Sequence, residues 1–317
     1  MPGDEPLLAA RQRIAWHAVL IVASAPSIVL SGSLLVGPVS RWWSPWAGVV
    51  VAVIWVGSGP IVLYRSRRAE RRYASSSAAV GAATMPVATA RVRTAWKYVA
   101  LGAGVPRSTC TIRVVEGKTF SASHFSDRHI EISRHTVNVL TARQLEAIVA
   151  HEFGHHLQRS AVLRELLTWY RRLFDTMGIM AYRPSVRLVR ALNATSRPGE
   201  EALLFVGGIV AWLGAGSAIL VGLWLLLGPW AVLLALAGIP WQGVLVQRRA
   251  WWCEFHADRV AVDLGYARYL REALTIAETE CVGTGDFVPA WLQSHPGNER
   301  RFAAMDSAQR RWTAPGS

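Results

Sequence analysis

Long runs without charge constrain this chain more than any other feature. Residues 14–40 and 42–64 contain no Asp, Glu, Lys or Arg, and neither do residues 202–247. About 20 apolar residues suffice for a helix to cross a bilayer core. The third run is long enough for two such helices, joined at the Gly-Pro within 227–230, because both residues end helices. The sequence predicts four membrane spans, since buried helical hairpins of soluble proteins rarely run this long without a charge.

Arginines beside these runs predict their orientation. The net charge is +13, and cytoplasmic loops carry an excess of positive residues. Arg41 is the single basic residue between the first two runs, whereas arginines cluster at the other ends: Arg11, Arg13, Arg65, Arg67, Arg68, Arg71, Arg72, Arg248 and Arg249. We therefore expect an integral protein of a cytoplasmic membrane, in contact with lipid, with both termini and residues 65–201 in the cytoplasm. No interleaving of aromatic and basic residues argues for nucleic acid, and no pattern indicates an oligomeric state.

The polar segments predict a small sheet and a well-defined helix start. Residues 92–105 have a helical pattern, whereas 109–117, 119–125 and 128–133 resemble short strands. Thr141 and Gln144 have the spacing of a capping box, which predicts a helix that begins at Ala142. Residues 74–84, rich in Ser, Gly and Ala, predict a flexible linker. The fold class is mainly helical α+β.

A histidine-rich stretch, "AIVAHEFGHHLQRS" (147–160), lies on this helix. His151 and His155 are one helical turn apart, so both rings project from one face, as two ligands of a tetrahedral zinc require. Glu152 lies beside them, where it could activate a water as general base. His156 points about 100° away from His155 and is interpreted as a neighbour. Gly154 could allow a metal or substrate to approach closely, or could be a simple packing contact.

The third zinc ligand must come from elsewhere in the chain. The pattern HExxHxxGxxH is excluded, because Gln158 and Ala161 occupy its glycine and histidine positions. Glu254 and Asp258, after the last apolar run, have a spacing that puts two carboxylates on one helical face. One could bind zinc, and the other could accept the free N–H of a ligand histidine. The alternative is a pair of surface acids on an amphipathic helix.

Several short motifs accompany these residues in a fixed order. They are "GVP" (104–106), "TFSA" (119–122), "LEAIVAHEFGHH" (145–156), the apolar hairpin, "EFHAD" (254–258) and "SHPGNERRF" (294–302). In this combination the chain resembles the HtpX-like membrane zinc metallopeptidases, relatives of the CAAX prenyl endopeptidases. The resemblance extends over most of the chain.

The resemblance implies roles for individual residues. It implies one Zn²⁺ bound by His151, His155 and Glu254, with Glu152 as the catalytic base. It implies that an edge strand pairs with the substrate backbone and comprises Thr119, Phe120, Ser121 and Ala122. It also implies that His295 and Arg301 lie near the active site, where either could stabilise the oxyanion. The alternative for these two is the exposed start of a surface helix.

Domain limits and function follow as expectations. We expect a transmembrane hairpin at 1–66, a cytoplasmic zincin-like catalytic domain at 67–201, a second hairpin at 202–247, and the rest of the catalytic domain, with the third ligand, at 248–317. The resemblance implies an endopeptidase in the cytoplasmic membrane of a bacterium, acting on membrane or misfolded polypeptides. Two alternatives stay open: a regulatory peptidase of the antirepressor type, and an inactive metal-binding scaffold.

Overall fold

Helices make up most of the protein. A computed structural model describes residues 5–126, 129–158, 161–195, 201–281 and 296–313. The elements are α1 (Glu5–Trp42), α2 (Pro45–Thr84), α3 (Pro86–Gly102), β1 (Thr111–Val115), β2 (Ala122–Ser126), β3 (His129–Ser133), α4 (Arg134–Val139), α5 (Ala142–Leu157), α6 (Ala161–Thr195), α7 (Glu201–Leu227), α8 (Pro229–Asp263), α9 (Ala267–Cys281) and α10 (Asn298–Thr313). The prediction of a mainly helical protein with a small sheet is confirmed.

The chain divides into two compact units. One comprises the residues up to Arg13, Arg65–Val162 and the residues from Gln247 onward; the other comprises Ile14–Tyr64 and Leu163–Val246. The first unit contains the sheet and the histidine-rich helix α5, and we call it the mixed unit. The second contains the apolar runs, and we call it the apolar unit.

A three-stranded mixed sheet lies in the mixed unit. Its strand order is β1-β3-β2, with β1 parallel and β2 antiparallel to β3. Ile130 and Ile132 on the central strand are fully buried, and they belong to one hydrophobic core with apolar residues of α3, α5 and α9. Of the predicted strand 119–125, the paired part begins at Ala122. This leaves β2 as an edge strand of the described sheet.

Helix α5 begins where the sequence predicts. The Thr141 side chain accepts a hydrogen bond from the Gln144 backbone, and the Gln144 side chain accepts one from the Thr141 backbone. The capping box is thus confirmed, and it satisfies two of the N–H groups that a helix start leaves without partners. One face of α5 is apolar and buried: Leu145, Ile148, Val149 and Phe153. This burial fixes which face of α5 carries the histidines.

Apolar helices dominate the other unit. Within the described residues, three helices have the length and hydropathy to cross a membrane: His17–Trp42, Pro45–Ala69 and Pro229–Asp263. A shorter apolar helical stretch covers Gly216–Leu227, so the number of four spans stays a prediction. The turn between α7 and α8 is confirmed. Gly228 has φ +91°, a conformation that glycine adopts without strain, and Pro229 begins α8.

Helix α6 belongs to the apolar unit. The Ser31 hydroxyl of α1 donates to the Arg171 carbonyl at 3.1 Å and accepts from the Phe174 N–H at 3.1 Å. The Tyr170 hydroxyl donates to the Val56 carbonyl of α2 at 2.6 Å. Polar groups of the apolar helices thus find partners on α6. The predicted domain limits stay predictions, and the two compact units divide the chain after Arg13, Tyr64, Val162 and Val246.

The predicted flexible linker at 74–84 is wrong. Its backbone continues helix α2 to Thr84. Alanine is frequent in this stretch and has the highest helix propensity of any residue. The helix ends only before Pro86, which begins α3, because the residue that precedes a proline disfavours helical backbone.

Candidate metal centre

Two histidines of α5 form one side of the site. The centroids of the His151 and His155 rings lie 4.8 Å apart, and the rings are nearly perpendicular, at 88°. His151 is buried and His155 is partly exposed. The one-turn spacing therefore places both imidazoles on a common face, as the sequence predicts.

Glu254 of α8 meets both histidines. Its Oε1 lies 3.3 Å from Nε2 of His155, and its Oε2 lies 3.6 Å from Nε2 of His151. One ligand atom from each of the three residues falls within 4.8 Å of the others. The structure therefore brings together the three residues that we expect to bind zinc, although they come from two segments about a hundred residues apart.

The donor set fits a zinc ion. Atoms bound to a tetrahedral zinc at about 2.0–2.1 Å lie about 3.3–3.4 Å from one another. The two separations, 3.3 and 3.6 Å, end on different oxygens of Glu254, and each is close to such an edge length. Two imidazoles and one carboxylate form a set that zinc accepts, and three protein ligands leave a fourth position for water or substrate.

Asp258 contacts Nδ1 of His151, the ring nitrogen that does not face Glu254. Its Oδ1 lies 2.9 Å from Nδ1 of His151, and a carboxylate there favours the tautomer in which Nδ1–H donates. Nε2 then keeps its lone pair and faces Glu254. Because Glu254 and Asp258 are one helical turn apart, one faces Nε2 of His151 and the other faces Nδ1. The alternative of two surface acids is wrong, since both carboxylates are buried.

Gly154 lets α5 and α8 approach closely. A Cβ atom built at Gly154 would lie 2.6 Å from Cα of Ala257, far inside van der Waals contact. Of the two readings of this glycine, the structure supports the packing contact between helices. This packing affects the distance between the site residues of α5 and α8, because Gly154 adjoins His155 and Ala257 adjoins Asp258.

Glu152 is buried beside the histidines, with 5% of its surface exposed. Its negative charge acts on the neighbouring His155. Burial lowers the pKa of His155, but the hydrogen bond to Glu254 and the negative charge of Glu152 together outweigh burial, so the pKa of His155 is raised. A metal needs the neutral imidazole, so protons compete with the metal at this residue. We therefore expect metal affinity to fall as the pH falls through the pKa of His155.

Arg301 of α10 contacts the two acidic residues of α8 in this site. Its guanidinium donates to both oxygens of Asp258, from Nε to Oδ2 at 2.8 Å and from Nη2 to Oδ1 at 2.6 Å. Its Nη1 lies 3.5 Å from Oε2 of Glu254. The alternative of an exposed surface arginine is wrong, because only 5% of Arg301 is exposed. His295, the other expected neighbour, lies outside the described residues.

The segment expected to bind substrate leads into the edge strand. Its backbone is anchored on the β3 side: the Ser133 N–H donates to the Ser121 carbonyl at 2.8 Å, and the Ser133 hydroxyl donates to the Thr119 carbonyl at 2.8 Å. Phe120 packs against the core of the mixed unit. Ala122 is the one member of this segment within the strand itself.

The remaining histidines near the motif have aromatic partners. The His156 ring stacks on Phe153, with centroids 5.9 Å apart, and the His256 ring stacks on Trp252 at 5.4 Å. Neither belongs to the three-residue group that could bind a metal. What the sequence did not indicate is the partner of Arg301, because the pairing of residues 258 and 301 depends on how α10 packs.

The chain is similar to proteins of one known family. The model of peptidase family M48 matches residues 86–309. A protease HtpX homolog of Pyrobaculum calidifontis is 30% identical over 105 residues, which are 32% of this chain and 29% of that relative's length. The crystal structure of S. mikatae Ste24p matches 68% of this chain and 49% of its own, with a TM-score of 0.40 and 18% identity. Because the family match covers more than half of the chain, including α5, Glu254 and Arg301, this protein belongs to peptidase family M48.

Proposed function

We propose that this protein is a membrane-bound, zinc-dependent endopeptidase whose active site is formed by α5 and α8. The observation that carries the proposal is the convergence of His151, His155 and Glu254, with ligand atoms within 4.8 Å of one another. Family membership supports peptide-bond hydrolysis, and the three apolar helices support a membrane location.

The chemistry divides between the metal and Glu152. A zinc ion bound by His151, His155 and Glu254 would polarise the scissile carbonyl and acidify the attacking water. Glu152 takes the proton of that water and returns it to the leaving amine, a role worth about 10²–10⁴-fold in rate.

The substrate is an extended polypeptide that adds to the edge of β2. Ser121 bonds to Ser133, and in an antiparallel ladder successive residues alternate between facing the partner strand and facing away. The backbone N–H and C=O of Ala122 therefore point to the open edge. Recognition through backbone groups is tolerant of sequence, which suits the membrane and misfolded polypeptides that we propose as substrates.

The cytoplasmic side is the proposed location of the active site. Arg65, Arg67 and Arg68 follow the second apolar run, and Arg248 and Arg249 follow the last, as the excess of positive charge on cytoplasmic segments predicts. Glu254 lies on α8 shortly after that run ends. This connection supports an active site near the cytoplasmic surface of the membrane.

Replacement of the proposed base tests the mechanism. We expect Glu152→Gln to keep its zinc and to cleave an unfolded test protein at least about 100-fold more slowly. Glu116→Gln, at an exposed carboxylate, is the matched control and should cleave at the wild-type rate. Undiminished cleavage by Glu152→Gln would refute the role of Glu152, and absence of cleavage by the wild type would favour the inactive scaffold.

A further inference from the structure

Arg301 makes the most specific contact in the site. It donates to Oδ1 and to Oδ2 of Asp258, at 2.6 and 2.8 Å. Such two-point pairing fixes the plane of the carboxylate as well as its position, because the guanidinium is flat and rigid. A lysine has the same charge but offers a single, rotatable ammonium group.

The contact continues to a proposed zinc ligand. Oδ1 of Asp258, which accepts from Arg301, also accepts from Nδ1 of His151 at 2.9 Å. The three side chains form one buried series, with exposed fractions of 5% for Arg301, 1% for Asp258 and 6% for His151. The plane of the Asp258 carboxylate therefore determines where Nε2 of His151 points.

The positive charge of Arg301 also balances the buried carboxylates of the site. Glu152, Glu254 and Asp258 are three buried carboxylates in one site. Arg301 contacts two of them, Asp258 directly and Glu254 with Nη1 at 3.5 Å from Oε2. Buried carboxylates repel one another unless a cation is near. Arg301 thus keeps the group together whether or not a metal is bound.

Helix α10 carries Arg301 and is docked by other contacts. Met305 and Ala308 belong to the hydrophobic core of the mixed unit. The Asn298 side chain donates to the Leu274 carbonyl of α9 at 3.2 Å, and Arg271 pairs with Asp306. Contacts other than those of Arg301 therefore hold α10 in place. From this helix the guanidinium of Arg301 extends into the site.

We propose that Arg301 is a positioning residue: through Asp258 it sets the ring of His151 and so couples the docking of α10 to metal affinity. The proposal rests on the metal site of the proposed function. It differs from the expectation that Arg301 stabilises the oxyanion, because Nε and Nη2 donate to Asp258 and Nη1 lies 3.5 Å from Oε2 of Glu254. Arg301 acts on the reaction through the ligand, without touching the substrate.

The test compares zinc affinity, measured by competition with a chelator, in Arg301→Lys and in Arg300→Lys. Arg300 is exposed on the same helix and stacks on Trp251 at 4.9 Å, which makes it the matched control. We expect Arg301→Lys to bind zinc about 10–100-fold more weakly, and Arg300→Lys to match the wild type. Unchanged affinity in Arg301→Lys overturns the proposal, whether its kcat falls, as for an oxyanion donor, or stays constant.

A double-mutant cycle distinguishes an effect of Arg301 through Asp258 from a general loss of structure. If Arg301 acts through Asp258, the variants Arg301→Gln and Asp258→Asn each weaken zinc binding, and the double variant is scarcely weaker than either. Losses that multiply in the double variant overturn the proposal, because independent structural damage adds in free energy.

A measurement on the zinc-free protein separates this proposal from the proposed function. In ¹⁵N-histidine NMR spectra, we expect His151 of the wild type to hold its proton on Nδ1, and Arg301→Lys to show a mixture of tautomers. An unchanged His151 signal overturns the positioning role. A wild type that binds no zinc contradicts the proposed function, while the tautomer result still decides the role of Arg301.

Discussion

Two adjacent histidines have different surroundings although the sequence presents them as a pair. Nε2 of His155 lies 3.3 Å from Glu254, whereas the His156 ring stacks on Phe153 at 5.9 Å between centroids. Consecutive helical residues point about 100° apart, so only one of the two can face α8. Helix geometry thus made the division of His151, His155 and His156 predictable from the sequence.

This division predicts opposite outcomes for the same substitution. His155→Gln removes an imidazole ligand and should lower zinc affinity by at least about 100-fold, since outer partners alone are worth 10–100-fold. His156→Gln should retain zinc, because His156 stacks on Phe153 and is not among the three residues whose ligand atoms converge. Zinc affinity of the two purified variants checks this prediction. Loss of zinc from His156→Gln with retention by His155→Gln would reverse the assignment.

The partner of Arg301 could not be predicted from spacing. The Glu254–Asp258 pair was recognisable because both residues lie on one helix, whose periodicity fixes their common face. Arg301 lies on another helix, and no periodicity in the sequence relates it to residues 254 and 258. Only the packing of α10 in the core brings Arg301 to Asp258.

At the scale of elements, the site depends on the crossing of α5 and α8. Gly154 on α5 packs directly against the backbone of Ala257 on α8. The crossing holds the α5 histidines against Glu254, with Nε2 of His155 3.3 Å from Oε1. A side chain at residue 154 would increase this distance, because Ala257 contributes backbone that cannot move aside.

Gly154→Ala should therefore destabilise the mixed unit and weaken zinc binding. Helix propensity alone would favour alanine by about 1 kcal/mol, but the added Cβ would meet Cα of Ala257 at 2.6 Å. Overpacking of this kind lowers the free energy of unfolding by about 1–3 kcal/mol. Thermal unfolding and zinc affinity are the measurements.

Gly243→Ala is the control for this prediction. It makes the same change in α8 at a position with no atom within 4 Å of the added Cβ, and its Tm should be unchanged or slightly higher. Equal effects of the two substitutions would contradict the account of Gly154.

Elements differed in how well the sequence predicted them, and local chemistry explains why. The capping box of α5 and the Gly-Pro turn before α8 are short-range signals, and both are confirmed. The prediction for 74–84 is wrong because its serines and glycine are typical of a linker, whereas its alanines favour the helix that continues α2. The predicted catalytic segment 67–201 includes α6, whose described contacts include Ser31 and Val56 of the apolar helices.

At the scale of the whole molecule, the arginine distribution predicts sidedness. We expect residue 44, between the first two apolar runs, to face outward, and residue 107, in the mixed unit, to face the cytoplasm. In a background without Cys110, Cys253 and Cys281, an impermeant maleimide should label Ser44→Cys on intact cells. It should label Arg107→Cys only after lysis. The opposite pattern would reverse the proposed orientation.

The central claim is that one zinc ion is bound by His151, His155 and Glu254. The most direct test is the zinc content per chain of the purified wild type, Glu254→Ala and Glu299→Ala, where Glu299 is an exposed carboxylate of α10. We predict one zinc in the wild type and in Glu299→Ala, and almost none in Glu254→Ala. A Glu254→Ala protein that retains its zinc, or an active wild type that contains none, would contradict the account.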